Sequence, residues 1–263
     1  MDKVRLDVLL VKRGLVSSRE TGRRMIMAGQ VRVAGELSDK PGHRVSVDAV
    51  VTVDAGPPYV SRGGHKLEAA LDRFQLKVDG WVVADVGAST GGFTDCLLQR
   101  GAGRVYAIDV GYGQLAWTLR QDSRVIVVER TNARYLETLP ETVDLVTIDA
   151  SFISLKLLLP TVAGWLRDKG HAVPLIKPQF EAGRRQVRKG GVVRDPAVHR
   201  QVLMDLLTWA ETHNWGVGGL IPSPLRGPAG NVEFLANLKL GVPSVFETEA
   251  GVESALKEAL DIK

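Results

Sequence analysis

From residue 81 onward, short apolar runs alternate with stretches of helical periodicity. This alternation constrains the fold more than any other feature of the chain. The runs cover 81–86, 104–110, 125–129, 145–148 and 171–176, and helical stretches separate them, clearest at 92–100 and 154–167. Strand and helix repeated in this way predict a doubly wound parallel sheet, an α/β, Rossmann-like architecture. A long helix is expected over 195–214, followed by two closing strands at 216–221 and 232–240.

The first 56 residues have a different rhythm. Leu6, Leu9, Leu10 and Val11 form a helical apolar stripe that Gly14 interrupts. Ser17 with Glu20 reads as a capping box for a second helix ending near Met27, with Gly29 as its C-terminal cap. Arg19, Arg23 and Arg24 lie on that helix. Short valine-rich strands are expected at 30–33 and 45–53. Ala55-Gly56-Pro57-Pro58-Tyr59 reads as a linker, and a helix over 65–74 follows it. The expected organisation is a small α+β domain over 1–56, a linker with a leading helix over 57–80, and the α/β domain over 81–263.

Composition narrows the function classes. Cys96 is the only cysteine, so no intramolecular disulfide and no zinc-ribbon or Cys-His finger can form. A single thiol fits a reducing, cytoplasmic setting. It lies in an apolar helical stretch and is expected to be a buried small hydrophobe. The N-terminal residues carry no apolar leader, and no uncharged run reaches the roughly 20 residues that span a bilayer. His65, His171, His199 and His213 show no ligand spacing, so no metal site is expected. Trp117, Trp165 and Trp209 recur on helical patterns and are expected in the core. Net charge is +4. Residues 1–56 hold ten Lys/Arg against seven Asp/Glu, and residues 177–200 hold seven against two, so basic charge sits in two blocks. That distribution suits a polyanionic partner, and it equally suits two solvated surfaces.

The most informative local feature is Ala84-Asp85-Val86-Gly87-Ala88-Ser89-Thr90-Gly91-Gly92-Phe93, which follows a strand and opens a helix. Glycines there let the backbone approach a ligand at the carboxyl end of the first strand. The pattern departs from G-x-G-x-x-G, and no Gly-Lys-Ser/Thr follows, so it is no P-loop. Asp109 ends the next strand, 22 residues after Gly87, where a carboxylate can accept both hydroxyls of a ribose. Loop, strand and aspartate together favour a nucleoside ligand over a plain tight turn; NAD, FAD and S-adenosylmethionine all suit it. Asp149 ends the fourth strand and Lys177 the fifth. Adjacent strand ends border the ligand crevice, so the two suggest an acid–base pair. Read singly, Asp149 is a helix N-cap and Lys177 a surface base.

These residues bring in a family. Ser61-Arg62-Gly63-Gly64-His65-Lys66-Leu67, the loop at 85–93, Asp109-Val110-Gly111-Tyr112-Gly113-Gln114-Leu115, Glu129-Arg130-Thr131-Asn132, the stretch 177–181 and Gly227-Pro228-Ala229-Gly230-Asn231-Val232-Glu233 closely resemble the TlyA family of ribosomal RNA 2'-O-methyltransferases. That family, historically labelled haemolysin-like, belongs to the wider FtsJ-like group. Arg5-Leu6-Asp7, Leu9-Leu10-Val11, Arg13-Gly14-Leu15-Val16 and Ala28-Gly29-Gln30-Val31 resemble an S4 RNA-binding domain. The resemblance implies a catalytic tetrad of Lys66, Asp149, Lys177 and Glu233. It implies S-adenosylmethionine held by Gly87, Ala88, Ser89, Thr90 and Gly91, with Asp109 on its ribose and Asn132 near its adenine. The implied substrate is ribosomal RNA or a ribosomal subunit, methylated on the ribose of a cytidine. Arg5, Arg19, Arg23 and Arg24 are the expected phosphate contacts. One departure is visible: the family often has Arg-x-Trp-Val before Ser-Arg-Gly, and here Pro57-Pro58-Tyr59-Val60 stands in its place.

A ribose 2'-hydroxyl holds its proton tightly, so it must be positioned and its proton accepted or polarised. Lys177 is the candidate for that task; Asp149 and Glu233 would orient the lysines and the hydroxyl, and Lys66 would hold a phosphate or the ribose. Two other readings compete. One is a non-enzymatic RNA-binding or assembly factor, against which the four tetrad residue types speak. The other is a membrane-active haemolysin, for which the chain shows neither a spanning segment nor a lytic helix.

Overall fold

The computed structural model describes residues 2–54, 56–183, 186–187 and 190–262. The chain divides into two compact units, residues 1–58 and 59–263.

In the small unit, β1 (Lys3–Arg5) leads into α1 (Leu6–Lys12), and α2 (Arg19–Met27) follows the Gly14 break. β2 (Val31–Val33) pairs antiparallel with β3 (Glu36–Leu37) and β5 (Val51–Val53), while β4 (Arg44–Ser46) pairs antiparallel with β1. Leu6, Leu9, Leu10, Ile26, Val31 and Val45 close the core, because the helical spacing puts the leucines on one face of α1. The N-cap of α2 is Ser18, whose hydroxyl accepts from the Thr21 N–H at 3.1 Å; the cap expected at Ser17 falls one residue early. Two adjacent serines give local sequence no means of choosing between them. The strand expected over 45–53 is two strands. The Ala49 N–H bonds back to the Ser46 carbonyl at 3.0 Å, and the resulting turn sends β4 and β5 to different sheets.

The large unit opens with α3 (Gly63–Arg73). There follow β6 (Val82–Val86), α4 (Gly92–Gln99), β7 (Arg104–Ile108), the short α5 (Trp117–Arg120), β8 (Val125–Val128), β9 (Val143–Ile148), α6 (Leu155–Ala163), β10 (Leu166–Ile176), the one-turn α7 (Pro178–Glu181), α8 (Pro196–Thr212), β11 (Trp215–Pro222), β12 (Phe234–Leu240) and α9 (Thr248–Glu258). The seven strands form one sheet in the order β11-β12-β10-β9-β6-β7-β8. β8, β7, β6, β9 and β10 are parallel, and β12 runs antiparallel between β10 and β11. The chain winds outward from β6 to β8, then returns to β9 on the other side of β6. That reversal opens a crevice at the carboxyl ends of β6 and β9.

Alternate strand residues supply two cores. Val83, Val105, Leu145 and Val173 face one layer, with Leu67, Leu71 and Leu97 of α3 and α4. Ala84, Tyr106, Val146 and Ala172 face the other, with α6 and α8. Cys96 is fully buried in the first layer. Trp165 is buried as expected, its indole N–H donating to the Leu136 carbonyl, and Trp209 is partly buried against His213. Trp117 corrects the expectation: it is 72% exposed. α5 is four residues long and anchors itself through Leu119, which leaves its first residue facing outward. β10 starts earlier than 171, because a bulge at Arg167-Asp168-Lys169-Gly170 extends its pairing back to Leu166.

Candidate active site

The loop after β6 is built on backbone approach. Gly87 has φ +82°, and a Cβ there would lie 2.6 Å from the Asp149 carbonyl oxygen, so only glycine lets the ends of β6 and β9 close together. The Asp149 N–H donates to the Val86 carbonyl at 2.8 Å across the same gap. Beneath the loop, Asp85 is fully buried and accepts from the hydroxyls of Thr94 (2.7 Å) and Thr147 (3.0 Å), tying β6 to α4 and β9. Burial pushes its carboxyl up to about 7, against the lowering effect of both hydroxyls.

A cleft of about 690 Å³ opens at this point, lined by Gly87, Ser89, Asp109, Asn132 and Asp149 together with Ile108, Val110, Leu157 and Leu158. Asp109 closes its rim: one carboxylate oxygen accepts from the Ser89 N–H (2.8 Å), the other from the Gly111 N–H (2.6 Å). A carboxylate offers about four lone-pair sites, so two remain for a ligand's hydroxyls. Asn132 caps the short 3₁₀ turn 133–135 by accepting from the Arg134 N–H. Ala88 and Thr90 line a neighbouring cleft of about 420 Å³ with Ser61, Arg62 and Lys66. Gly91 lines neither; with φ +97° it starts α4. Mixed apolar walls, a backbone-lined loop and a rim carboxylate suit an adenosine-bearing ligand of the size of S-adenosylmethionine.

A third cleft, about 540 Å³, shares Gly87, Ser89 and Asp149 with the first and brings the four tetrad positions together. Lys66 comes from α3, Asp149 from the end of β9, Lys177 from the end of β10 and Glu233 from the residue before β12. They form two ion pairs. Lys66 Nζ lies 2.5 Å from Glu233 Oε2, and Lys177 Nζ lies 2.6 Å from Asp149 Oδ1. Lys177 also donates to Ser151 Oγ at 3.1 Å. Lys66 and Lys177 are each 8% exposed and Glu233 is 2% exposed, so these are not surface bridges. Gly227 folds over Glu233 so closely that a Cβ would sit 2.5 Å from its Oε1.

Sequence reasoning missed Ser151, Phe152 and Phe180. Phe152 is 89% exposed, holds a left-handed φ of +64°, and stands 4.9 Å from the Phe180 ring on the wall of this cleft. A bulky residue at positive φ stores strain that structures keep at functional positions. The available signal was an aromatic three residues past each strand-end charge.

In the small unit the arginines fall into two groups. Arg5 and Arg19 both grip the fully buried Asp7, each at 3.0 Å. Arg23 and Arg24 are exposed on α2 and have no side-chain partner among the described residues; with Arg19, Glu20 and Met27 they line a surface groove of about 570 Å³. Of the second basic block, Arg184, Arg185, Arg188 and Lys189 lie outside the described residues. No helix among the described residues is long and apolar enough to cross a membrane.

Residues 59–240 match the model of the FtsJ-like methyltransferases, and residues 4–51 match that of the S4 domain. The chain belongs to the FtsJ-like methyltransferase family. A Mycobacterium tuberculosis protein named 16S/23S rRNA (cytidine-2'-O)-methyltransferase TlyA is 46% identical over 262 residues, 98% of this chain and 97% of its own. A Bacillus subtilis protein named as an rRNA methyltransferase, YqxC, is 50% identical over 243 residues, 90% of this chain and 85% of its own. The solved structure of a hemolysin-named protein from Streptococcus thermophilus superposes with a TM-score of 0.75 at 44% identity, covering 99% of this chain and 96% of that one. The S4 and methyltransferase matches coincide with the two compact units, and the protein is a methyltransferase by family and by fold.

Proposed function

We propose that this protein transfers the methyl group of S-adenosylmethionine to the 2'-hydroxyl of a cytidine in ribosomal RNA, in the cytoplasm, with Lys66, Asp149, Lys177 and Glu233 as its catalytic residues. The observation that carries the reading is the meeting of two buried lysine–carboxylate pairs in a cleft that shares Gly87, Ser89 and Asp149 with the larger one. Relatives named for this reaction over nearly the whole chain support it.

Bound in the larger cleft, S-adenosylmethionine supplies a methyl group on a positively charged sulfur. Asp109, Asn132, Gly87 and Ser89 would hold the nucleoside end, with Asp109's two free lone pairs left for the ribose hydroxyls. The chain's other task is to present a nucleophilic oxygen. Lys177 stands between Asp149 and Ser151, fixed by both, so an incoming 2'-hydroxyl meets an amine of set position. Acting as its neutral amine, with one proton first released to solvent, Lys177 receives the hydroxyl proton as the oxygen–methyl bond forms and the sulfur–methyl bond breaks, and Asp149 steadies the ammonium that results. Lys66, held by Glu233, is the fixed cation of the cleft and takes the phosphate or ribose of the target nucleotide. Because both lysines are positioned before substrate arrives, orientation contributes to the rate along with proton transfer. Arg23 and Arg24, without a side-chain partner among the described residues, are the foremost phosphate-binding groups of the S4 domain, with Arg5 and Arg19 beside them.

The test is transfer of a tritiated methyl group to ribosomal subunits that lack the modification. The product linkage must resist alkaline cleavage. A methyl on a base, or no transfer at all, overturns the reading. Asp109→Ala should weaken cofactor binding by roughly 1–3 kcal/mol in calorimetry, through loss of the carboxylate that accepts from the ribose hydroxyls.

A further inference from the structure

One residue on the wall of the tetrad cleft carries a polar atom that no hydrogen bond in the structure satisfies. Gln179 stands on the single turn of α7, between Lys177 and Phe180, and lines the cleft with Asp149, Phe152 and Glu233. Its Oε1 is buried and has no hydrogen-bond partner, and it is the only such side-chain atom among the described residues. The donors nearby are committed: Lys177 to Asp149 and Ser151, Lys66 to Glu233. A buried acceptor without a donor is costly, and buried polar groups are otherwise almost always paired. An orphan of this kind inside a substrate cleft is an acceptor that awaits a donor from the substrate.

The surroundings say what the donor belongs to. Exposed Phe152 and half-buried Phe180 form an aromatic wall of the same cleft, and a flipped or single-stranded nucleobase stacks on such faces. A base lying there would present its hydrogen-bonding edge to the cleft. A glutamine amide pairs in a bidentate way with an edge that sets an exocyclic amino group beside a ring nitrogen acceptor. Cytosine and adenine carry that edge on their Watson–Crick side; uracil has no amino group and carries a carbonyl oxygen beside a ring N–H there. We propose that Gln179 selects the nucleotide to be methylated, its Oε1 accepting a hydrogen bond from the exocyclic amino group of the target base. The inference rests on the ribose-methylation reading. It makes Gln179 a specificity-determining residue that takes no part in proton transfer.

The experiment uses the full-length protein and ribosomal subunits carrying cytosine, adenine or uracil at the nucleotide that the wild-type protein methylates, followed by single-turnover transfer. Wild type should favour cytosine over uracil by about 5- to 150-fold, the span expected of one good bidentate pairing. Gln179→Leu should lose most of that ratio while calorimetry shows unchanged S-adenosylhomocysteine binding. Gln179→Glu keeps an acceptor and should retain part of the preference. Transfer to adenine that follows cytosine in wild type and falls with it in Gln179→Leu supports recognition of the amino group. If Gln179→Leu does not bind cofactor, Gln179→Met carries the same comparison. An unchanged cytosine-to-uracil ratio in the apolar variant overturns the inference, as does a wild type that does not discriminate. Absence of ribose methylation by wild type on every subunit is a failure of the underlying reading instead.

Discussion

Each unit buries one aspartate completely, and the two are held in opposite ways. Asp7, in the small unit, is gripped by two guanidinium groups. The hydrogen bond from Arg5, reinforced by Arg19, holds its carboxyl below the usual range despite burial. Asp85, under the ligand loop, meets only uncharged donors, the hydroxyls of Thr94 and Thr147 and the Thr94 backbone, and burial pushes it up to about 7. Both have lost water. The charge on the replacement donors decides whether the carboxylate stays ionised. The methyltransferase unit uses its charged partners elsewhere, pairing Lys66 with Glu233 and Lys177 with Asp149 inside the cleft. The small unit instead leaves Arg23 and Arg24 on an exposed helix, unpaired among the described residues. Fixed pairs suit a reaction whose geometry must be set in advance; free arginines suit a backbone of phosphates that approaches in many registers.

The largest effect should come from breaking a fixed pair. Lys177→Ala is expected to slow single-turnover transfer by roughly 10²–10⁴-fold, while cofactor affinity stays near normal. Adding Asp149→Ala should cost much less than it does alone, since the two act as one unit. A Lys177→Ala protein that turns over normally when chemistry limits the rate would remove Lys177 from proton handling.

The two aspartates give a contrast of sign. Unfolded Asp85 titrates near 3.8 and the folded group near 7, so between those values the unfolded chain has released a proton that the folded chain retains. Stability conferred by the protonated form is present below 3.8 and is lost as pH rises towards 7, at up to about 1.4 kcal/mol for each unit of the gap. Asp85→Asn removes that slope, so the variant should gain on wild type as pH rises from 3.8 to about 7 in urea denaturation. Asp7 runs the other way: its contribution is present above 3.8 and is lost as pH falls through its depressed value. Asp7→Asn should flatten the acid limb of the small unit's unfolding and leave the limb above pH 5 unchanged. Equal slopes for the two variants would mean that partner charge does not set the difference.

The smallest effect is expected at the free arginines. Arg23→Ala combined with Arg24→Ala should lower the salt slope of RNA binding by about 0.7 to 0.9 for each phosphate left without its arginine, with cofactor binding intact. An unchanged slope means that the exposed face of α2 does not meet phosphates.

Most of the fold was legible because its signals are local. Apolar periodicity marked the strands and α8, and Gly29, with φ +71°, follows α2 as its cap pattern requires. Gly87 stood out at a strand end because the turn needs a positive φ, a property of one residue and its neighbours. The misreadings came where local cues were degenerate or silent. Ser17 and Ser18 are equivalent caps in sequence, and Trp117 fits a helical pattern whichever way α5 rolls. The bulge at 167–170 exists only through pairing with β9.

The sequence by itself determined the order of the elements, the residue types of the tetrad and the place where a nucleoside could enter. Those follow from periodicity, turn chemistry and motif, which act over a few residues at a time. Only the tertiary structure decided which carboxylate holds which lysine. Lys66 and Glu233 are 167 residues apart, and they meet because α3 packs beside the sheet while β12 inserts antiparallel next to β10. The same packing left Gln179 without a donor and turned Phe152 outward beside Phe180. Pairing, burial and an unfilled acceptor are properties of what lies across the cleft, and no window of sequence contains both sides of it.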